Sequence, residues 1–301
     1  MRRVLRRFHA TRAARQRLIE ADVRVYQIAP GAMESRSIQW RVPGRALLFM
    51  IACAVLLATS TPLARDIRGL RPEFVIGIIA SVGTFMLTVI FVRWEGLTPQ
   101  DVGAQFGKGS PMRFVLGFLL GLVLVALHVA ILGFAGHVLW IRSDSVGVLD
   151  VATTAVVYLL LSCREELAFH GYPLRRLNSL LGLWLSQFIV ALIFALEHVA
   201  RGSTWVSVLF GAAVGSVLFG MASTATRGLA VPIGLHAAWN LGDWMHGGKD
   251  SMGLWHQVPL PGFRDRADRV GMIGYIVVMI AATLFFWWWY RRTIEKTEVQ
   301  M

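Results

Sequence analysis

Residues 114–141 read FVLGFLLGLVLVALHVAILGFAGHVLWI and contain no Asp, Glu, Lys or Arg. A helix needs about 20 predominantly apolar residues to cross the hydrocarbon core of a bilayer, and this stretch is long enough. Five further charge-free runs of comparable length occur in the chain. The complete set comprises residues 46–64, 74–92, 114–141, 177–196, 202–226 and 270–290. The sequence therefore predicts at least six membrane-spanning helices.

Two further apolar segments are shorter or run into ionisable side chains. Residues 151–163 are followed directly by a charged triplet that begins at Arg164, and residues 228–242 contain His236. We count both segments as spans, which predicts an all-α fold, a polytopic membrane helix bundle of about eight transmembrane helices. Because ionisable groups are rare inside membranes, these two weakest spans are the candidate functional segments.

The composition excludes a soluble two-domain enzyme. Apolar residues make up 55% of the chain and charged residues 16%, against about 45–50% and about 25% in soluble domains. The chain has 30 Lys and Arg against 18 Asp and Glu, and eleven arginines lie in residues 1–45. Basic residues concentrate in cytoplasmic segments of membrane proteins. We therefore expect a multi-pass protein of the bacterial inner (cytoplasmic) membrane, whose partner is the lipid bilayer and not nucleic acid.

Several ionisable residues lie inside or beside the apolar segments. A charged group at the bilayer centre costs at least about 2.5–3.5 kcal/mol on insertion scales, and such groups face the bundle interior at functional sites. The set consists of Glu165, Glu166, Glu197, His198 and His236. We interpret this set as a functional site and not merely as polar contacts between helices.

The spacing places pairs of side chains on single helical faces, because residues four apart lie about one turn apart. The pairs are Glu166 with His170, Phe194 with His198, and His236 with Asn240. If residues 151–178 and 181–200 form a hairpin that turns near Leu180, Glu165 and His198 lie within about one turn of the same depth. A third helix can bring the His236 pair to the same place.

This set of side chains is compatible with more than one chemistry. A glutamate beside an imidazole can deprotonate a water, and histidine and asparagine donors can stabilise an oxyanion, which describes a hydrolase. Alternatively, Glu165, His198 and His236 are ligand types of a zinc-dependent membrane peptidase, although no HExxH motif occurs. A third interpretation is a non-enzymatic membrane scaffold or immunity protein, or a proton-linked transporter that uses the Glu and His pairs as a relay.

The ordered motifs resemble those of a known family. Residues 165–170, EELAFH, resemble the EExxxR motif of the CAAX-protease and bacteriocin-processing family, the prokaryotic relatives of the Ras-converting CAAX prenyl protease 2 family. Phe194 and His198 match the FxxxH motif of that family, and His236 and Asn240 match its HxxxN motif. The resemblance divides the chain into a basic tail (1–45), N-terminal transmembrane helices (46–144), a catalytic core (145–245), and a polar loop with the last helix and a short basic tail (246–301).

The resemblance implies a glutamate-type intramembrane endopeptidase with eight helices, without a cofactor, that cleaves a peptide or membrane-protein substrate. Glu165 is then the general base that activates water, helped by His198, and His236 and Asn240 stabilise the oxyanion. The second glutamate of the motif, Glu166, supports the site.

Two residues of the motifs are expected to have supporting roles, Phe194 and His170. The sequence departs from the family at His170, which stands where the motif has Arg. A guanidinium is always charged and clamps a carboxylate through two bonds, whereas an imidazole can be neutral at pH 7. We therefore expect a weaker or pH-dependent hold on Glu166.

Overall fold

The computed structural model describes residues 41–65, 67, 71–249 and 253–298, so most of the predicted basic tail at 1–45 lies outside the described residues. The helices are α1 (Arg41–Arg65), α2 (Pro72–Trp94), α3 (Ser110–Gly136), α4 (Val148–Glu165), α5 (Tyr172–Leu181), α6 (Leu183–Ala200), α7 (Trp205–Thr226), α8 (Ala230–Met245) and α9 (Arg264–Glu298). Two short strands, β1 (Val138–Arg142) and β2 (Trp255–Pro259), pair antiparallel.

The predicted fold class is confirmed, because the molecule is an all-α polytopic helix bundle. Six helices, α1, α2, α3, α6, α7 and α9, are long and apolar enough to cross a membrane. They correspond to the six charge-free runs of the sequence. The two weaker predicted spans form α4, with 18 residues, and α8, with 16 residues. The protein is therefore a multi-pass integral membrane protein.

The predicted span 114–141 is wrong at its end, because α3 stops at Gly136. His137 has a left-handed backbone (φ 54°), which terminates the helix. The chain then enters β1, which pairs with β2, and β2 lies within the polar loop that the sequence predicts before the last helix. An apolar run alone does not distinguish a strand from the last turns of a helix.

The predicted hairpin of residues 151–178 and 181–200 has a break in its first arm. After α4 the chain forms a π-helical segment, Glu166–Gly171, and then the short helix α5. The reversal occurs at Gly182 (φ 77°), two residues beyond the predicted turn, and the predicted span 177–196 begins only at Leu183. Glycine adopts this backbone conformation without steric cost.

The helix α8 lies at the centre of the bundle, and α4 packs against both α8 and α2. Gly117 and Gly121 let α3 approach α8 closely, since a Cβ atom on Gly117 would collide with the carbonyl oxygen of Val231. On the other side, the Ser81 hydroxyl of α2 donates to the Leu160 carbonyl of α4 over 2.6 Å. The weak span α8 is thus buried along its length, whereas α4 is buried only toward its carboxyl end, at Ser162, Arg164 and Glu165.

A buried glutamate, Glu95, fixes the position of α5. Tyr172 donates its hydroxyl proton to Oε1 of Glu95 over 3.0 Å, and Arg176 pairs with Oε2. Arg45 of α1 reaches the same carboxylate over 3.2 Å. Three helices therefore converge on one side chain immediately beyond the π-helical segment.

Candidate active site

Glu166 is the first residue of the π-helical segment and is fully buried. Its Oε2 atom lies 2.8 Å from Nδ1 of His170, and its Oε1 atom lies 2.8 Å from Nδ1 of His236. An ionised carboxylate only accepts hydrogen bonds, so both imidazoles carry a proton on Nδ1 when Glu166 is charged. One carboxylate therefore orients two histidines from two different helical segments.

His170 makes this contact although the family motif has Arg at its position. Its Nε2 atom lies 3.0 Å from the Ser216 hydroxyl of α7, and the ring is fully buried. A Cβ atom on Gly220 would collide with the side-chain oxygen of Gln187 and stand 3.1 Å from the His170 ring, so the glycine leaves room for both side chains. Ser216 thus pairs with His170, and Gly220 lies beside it without crowding it.

His236 lies between the two glutamates of the motif. Its Nε2 atom is 3.5 Å from Oε2 of Glu165, while Nδ1 bonds to Glu166. The ring of Phe219 stacks on the imidazole, with centroids 4.1 Å apart and an interplanar angle of 14°. The imidazole is therefore fixed both in its plane and in its rotation.

Glu165 ends α4 and is 6% exposed. Besides His236, its neighbours are Arg201, whose guanidinium lies 3.7 Å from Oε1, and His198, which is within electrostatic range. Arg201 is about half exposed, whereas its carboxylate partner is nearly buried. The Glu165 carboxylate therefore lies close to one imidazole and one guanidinium in a largely enclosed site.

Phe194 sets the orientation of His198. The backbone carbonyl of Phe194 accepts a hydrogen bond from Nδ1 of His198 over 3.0 Å, and the two rings pack with centroids 4.5 Å apart. A carbonyl oxygen only accepts, so the proton is on Nδ1. In the neutral imidazole, Nε2 is then the acceptor, and it can take a proton or hold a water.

Asn240 lies one helical turn beyond His236 on α8. Its Oδ1 atom accepts a hydrogen bond of 2.7 Å from Nζ of Lys249. The two residues of the HxxxN motif thus have separate partners, Glu166 for the imidazole and Lys249 for the amide. Since the carbonyl of Asn240 is engaged, its NH2 group is the donor that remains for a ligand.

Residues 147–242 match the family model for type II CAAX prenyl endopeptidase Rce1-like proteins. Residues 147–242 form an Rce1-like domain. This confirms the resemblance to the CAAX-protease family that the three motifs indicate. No curated protein has a sequence that matches the chain. The matched residues contain α4 to α7 and most of α8, and hence all the glutamates and histidines of the candidate site.

The Rce1-like domain contains a buried ion pair that sequence reasoning did not identify. Arg164 is fully buried and binds both carboxylate oxygens of Glu197. The pair directly precedes Glu165 on α4 and His198 on α6. In the predicted hairpin, Arg164 lies at about the same depth as Glu197, just as Glu165 lies near the depth of His198. Opposite charges at equal depth could therefore have predicted this ion pair from the sequence.

Lys249 is a further residue of the site that sequence reasoning missed. It follows α8 in the chain and belongs to a segment predicted only as a polar loop. Its position over Asn240 depends on how the chain turns between α8 and β2. No spacing in the sequence indicates that contact.

The geometry of the Rce1-like domain bears on the zinc alternative. Within residues 41–65, 67, 71–249 and 253–298, no three His, Cys, Asp or Glu side chains converge as a metal-binding group would. Of the proposed ligands, Glu165 and His236 approach each other, and His198 bonds through Nδ1 to the Phe194 carbonyl, which leaves its Nε2 atom available. The zinc alternative therefore stays a prediction.

Proposed function

We propose that the chain is an intramembrane endopeptidase in which Glu165 activates the attacking water. The observation that carries the proposal is the position of its carboxylate, nearly buried, 3.5 Å from the His236 imidazole and within electrostatic range of His198. A general base needs to be within hydrogen-bond reach of its water, and a second acceptor fixes that water in place. His198, with Nε2 as the acceptor, supplies the second contact.

The reaction then follows from the donors and acceptors around Glu165. The carboxylate takes a proton from the water while the water oxygen forms a bond to the carbonyl carbon of the scissile peptide. Protonated on both nitrogens, His236 donates from Nδ1 to Glu166 and from Nε2 to the developing oxyanion, and the Asn240 amide adds a second donor. When the C–N bond breaks, Glu165 returns its proton to the leaving amine.

Glu166 acts through His236 in this scheme. Its two imidazole partners, His236 and His170, are both 2.8 Å away, and the carboxylate is fully enclosed. A catalytic imidazole whose rotation is fixed loses less entropy as the transition state forms. Glu166 is therefore a positioning residue, and Glu165 is the residue that exchanges protons with water.

The substrate that the proposal favours is a peptide presented from the membrane. The matched family is described as prenyl endopeptidases of CAAX substrates. A farnesylated CAAX peptide is accordingly the first probe, and a peptide library without a lipid is the second. We further propose the bacterial inner membrane as the location, because the chain is strongly basic at its N-terminal end.

The test compares the purified wild-type protein with Glu165→Gln and His198→Ala in proteoliposomes. We expect each variant to lose roughly 10²- to 10⁴-fold in cleavage rate, as removal of a general base does. Glu73→Gln is the matched control, because Glu73 lies exposed in the first turn of α2. Retained cleavage in both site variants would refute the proposal.

Two measurements on the same samples separate the alternatives. Stoichiometric zinc in the wild type, with cleavage lost to chelators, would replace the glutamate mechanism by a zinc peptidase. Proton-coupled flux in liposomes, without cleavage of any peptide, would instead indicate a transporter.

A further inference from the structure

Lys249 contacts both α4 and α8. Its Nζ atom donates to Oδ1 of Asn240 over 2.7 Å and lies 4.8 Å from the centroid of the Tyr158 ring. Asn240 belongs to α8 and Tyr158 belongs to α4. The ammonium group therefore contacts both helices that carry the candidate catalytic residues.

The contact lies on the same side of those helices as the reacting groups. Tyr158 precedes Glu165 by seven residues, which is two turns along one face of α4. Asn240 follows His236 by four residues, which is one turn along one face of α8. Lys249 thus contacts α4 two turns from Glu165 and contacts α8 one turn from His236, toward the end of α8.

The chemistry of the two groups determines how the Asn240 amide is oriented. An asparagine amide has two orientations of nearly equal shape, and the hydrogen-bond partners decide between them. An ammonium group only donates, so it selects the orientation with Oδ1 toward Lys249. The NH2 group then points away from Lys249. In the reversed orientation, the amide oxygen would lie where the NH2 group now lies, and the site would lose that donor.

We propose that Lys249 is a positioning residue that holds the amide of Asn240 in the donating orientation. Tyr158 keeps the ammonium group in place through the face of its ring, since aromatic faces attract cations. The inference rests on the proposed function, in which Asn240 stabilises the oxyanion. Lys249 itself does not touch the substrate in this scheme.

The first test replaces Lys249 by Met, which keeps the length of the side chain and removes the donor. We expect kcat for a farnesylated CAAX peptide to fall roughly 10- to 100-fold with little change in KM, because a misplaced group mainly affects the transition state. Lys249→Arg retains a cationic donor and is expected to restore most of kcat. Lys108→Met is the matched control, since Lys108 is exposed on the loop before α3.

The second test combines Lys249→Met with Asn240→Ala. If Lys249 acts only through the amide, the double variant has the same kcat as Asn240→Ala alone. If Lys249→Met lowers kcat by the same factor in both backgrounds, or if Lys249→Met alone leaves kcat unchanged, the proposal is wrong. Thermal unfolding in detergent checks that each variant retains the wild-type fold, and an equal kcat in a fully folded Lys249→Met protein is decisive against it.

These outcomes are distinct from a failure of the proposed function. Full cleavage by the Glu165→Gln protein would disprove the glutamate mechanism, and the proposed role of Asn240 would fail with it. If Glu165→Gln loses cleavage while Lys249→Met keeps a normal kcat, the proposed mechanism stands. In that case only the proposed role of Lys249 is disproved.

Discussion

The imidazole of His236 and the carboxylate of Glu166 are joined by a hydrogen bond of 2.8 Å from Nδ1 to Oε1, although 70 residues separate them in the chain. This contact connects the second glutamate of the first motif to the first residue of the third. Nδ1 of His170 bonds to the other oxygen of the same carboxylate, also over 2.8 Å. Both motifs depend on one negative charge that is shielded from solvent.

Replacing Glu166 by Gln tests this dependence. Two imidazole Nδ1–H groups need acceptors, and an amide offers one acceptor and one donor, so either His170 or His236 loses its partner. We expect kcat to fall about 100-fold with KM nearly unchanged, close to the effect of losing one oxyanion donor. Steady-state kinetics beside the Glu73→Gln protein provide the measurement. An unchanged kcat would show that His236 keeps its orientation without Glu166.

Replacing Arg164 by Met tests the buried ion pair. Removing one partner leaves the Glu197 carboxylate without its charge partner in a nearly buried position, which destabilises proteins by about 3–5 kcal/mol. We expect a clear drop in the thermal midpoint in detergent. The double variant Arg164→Met with Glu197→Leu removes both charges and is expected to recover most of the midpoint. A double variant no more stable than Arg164→Met would contradict this account of the pair.

Two glycines of the GxxxG type provide a test of helix packing. A Cβ atom on Gly117 would collide with the backbone of α8, whereas nothing lies within 4 Å of a Cβ atom on Gly211. We expect Gly117→Ala to destabilise the protein by about 1–3 kcal/mol, as overpacking does. Gly211→Ala is the matched control and is expected to have the same or a higher midpoint, because alanine favours helices. Equal midpoints for the two variants would disprove close packing of α3 on α8.

Hydropathy and spacing predict the helices and their order, because charge-free runs have few folded alternatives in a membrane. They also bring Glu165 near His198, since equal depth in a hairpin follows from residue counting alone. The end of α3 could not be predicted in this way. Residues 138–142 are apolar enough for a helix, and their strand conformation depends on pairing with residues 255–259.

The remaining differences have a common physical cause. Glu166 of the π-helical segment and Lys249 each contact a residue that is distant in the chain, His236 and Tyr158 respectively. The surroundings of His170 are a further example, and the expected weaker or pH-dependent hold on Glu166 stays a prediction. Ser216, which pairs with His170, lies on α7, and no pattern around the glutamates specifies that contact.

The π-helical segment Glu166–Gly171 also sets how far the chain rotates about the helix axis between two groups of contacts. Before it, Glu165 faces His236, and after it, Tyr172 and Arg176 bind Glu95. Each residue of a helix rotates the chain by about 100° about the helix axis. Removing one residue from this segment would therefore turn one group of side chains away from its partners. The number of residues in this segment is therefore constrained as tightly as their identity, and insertions or deletions here are less tolerable than most substitutions.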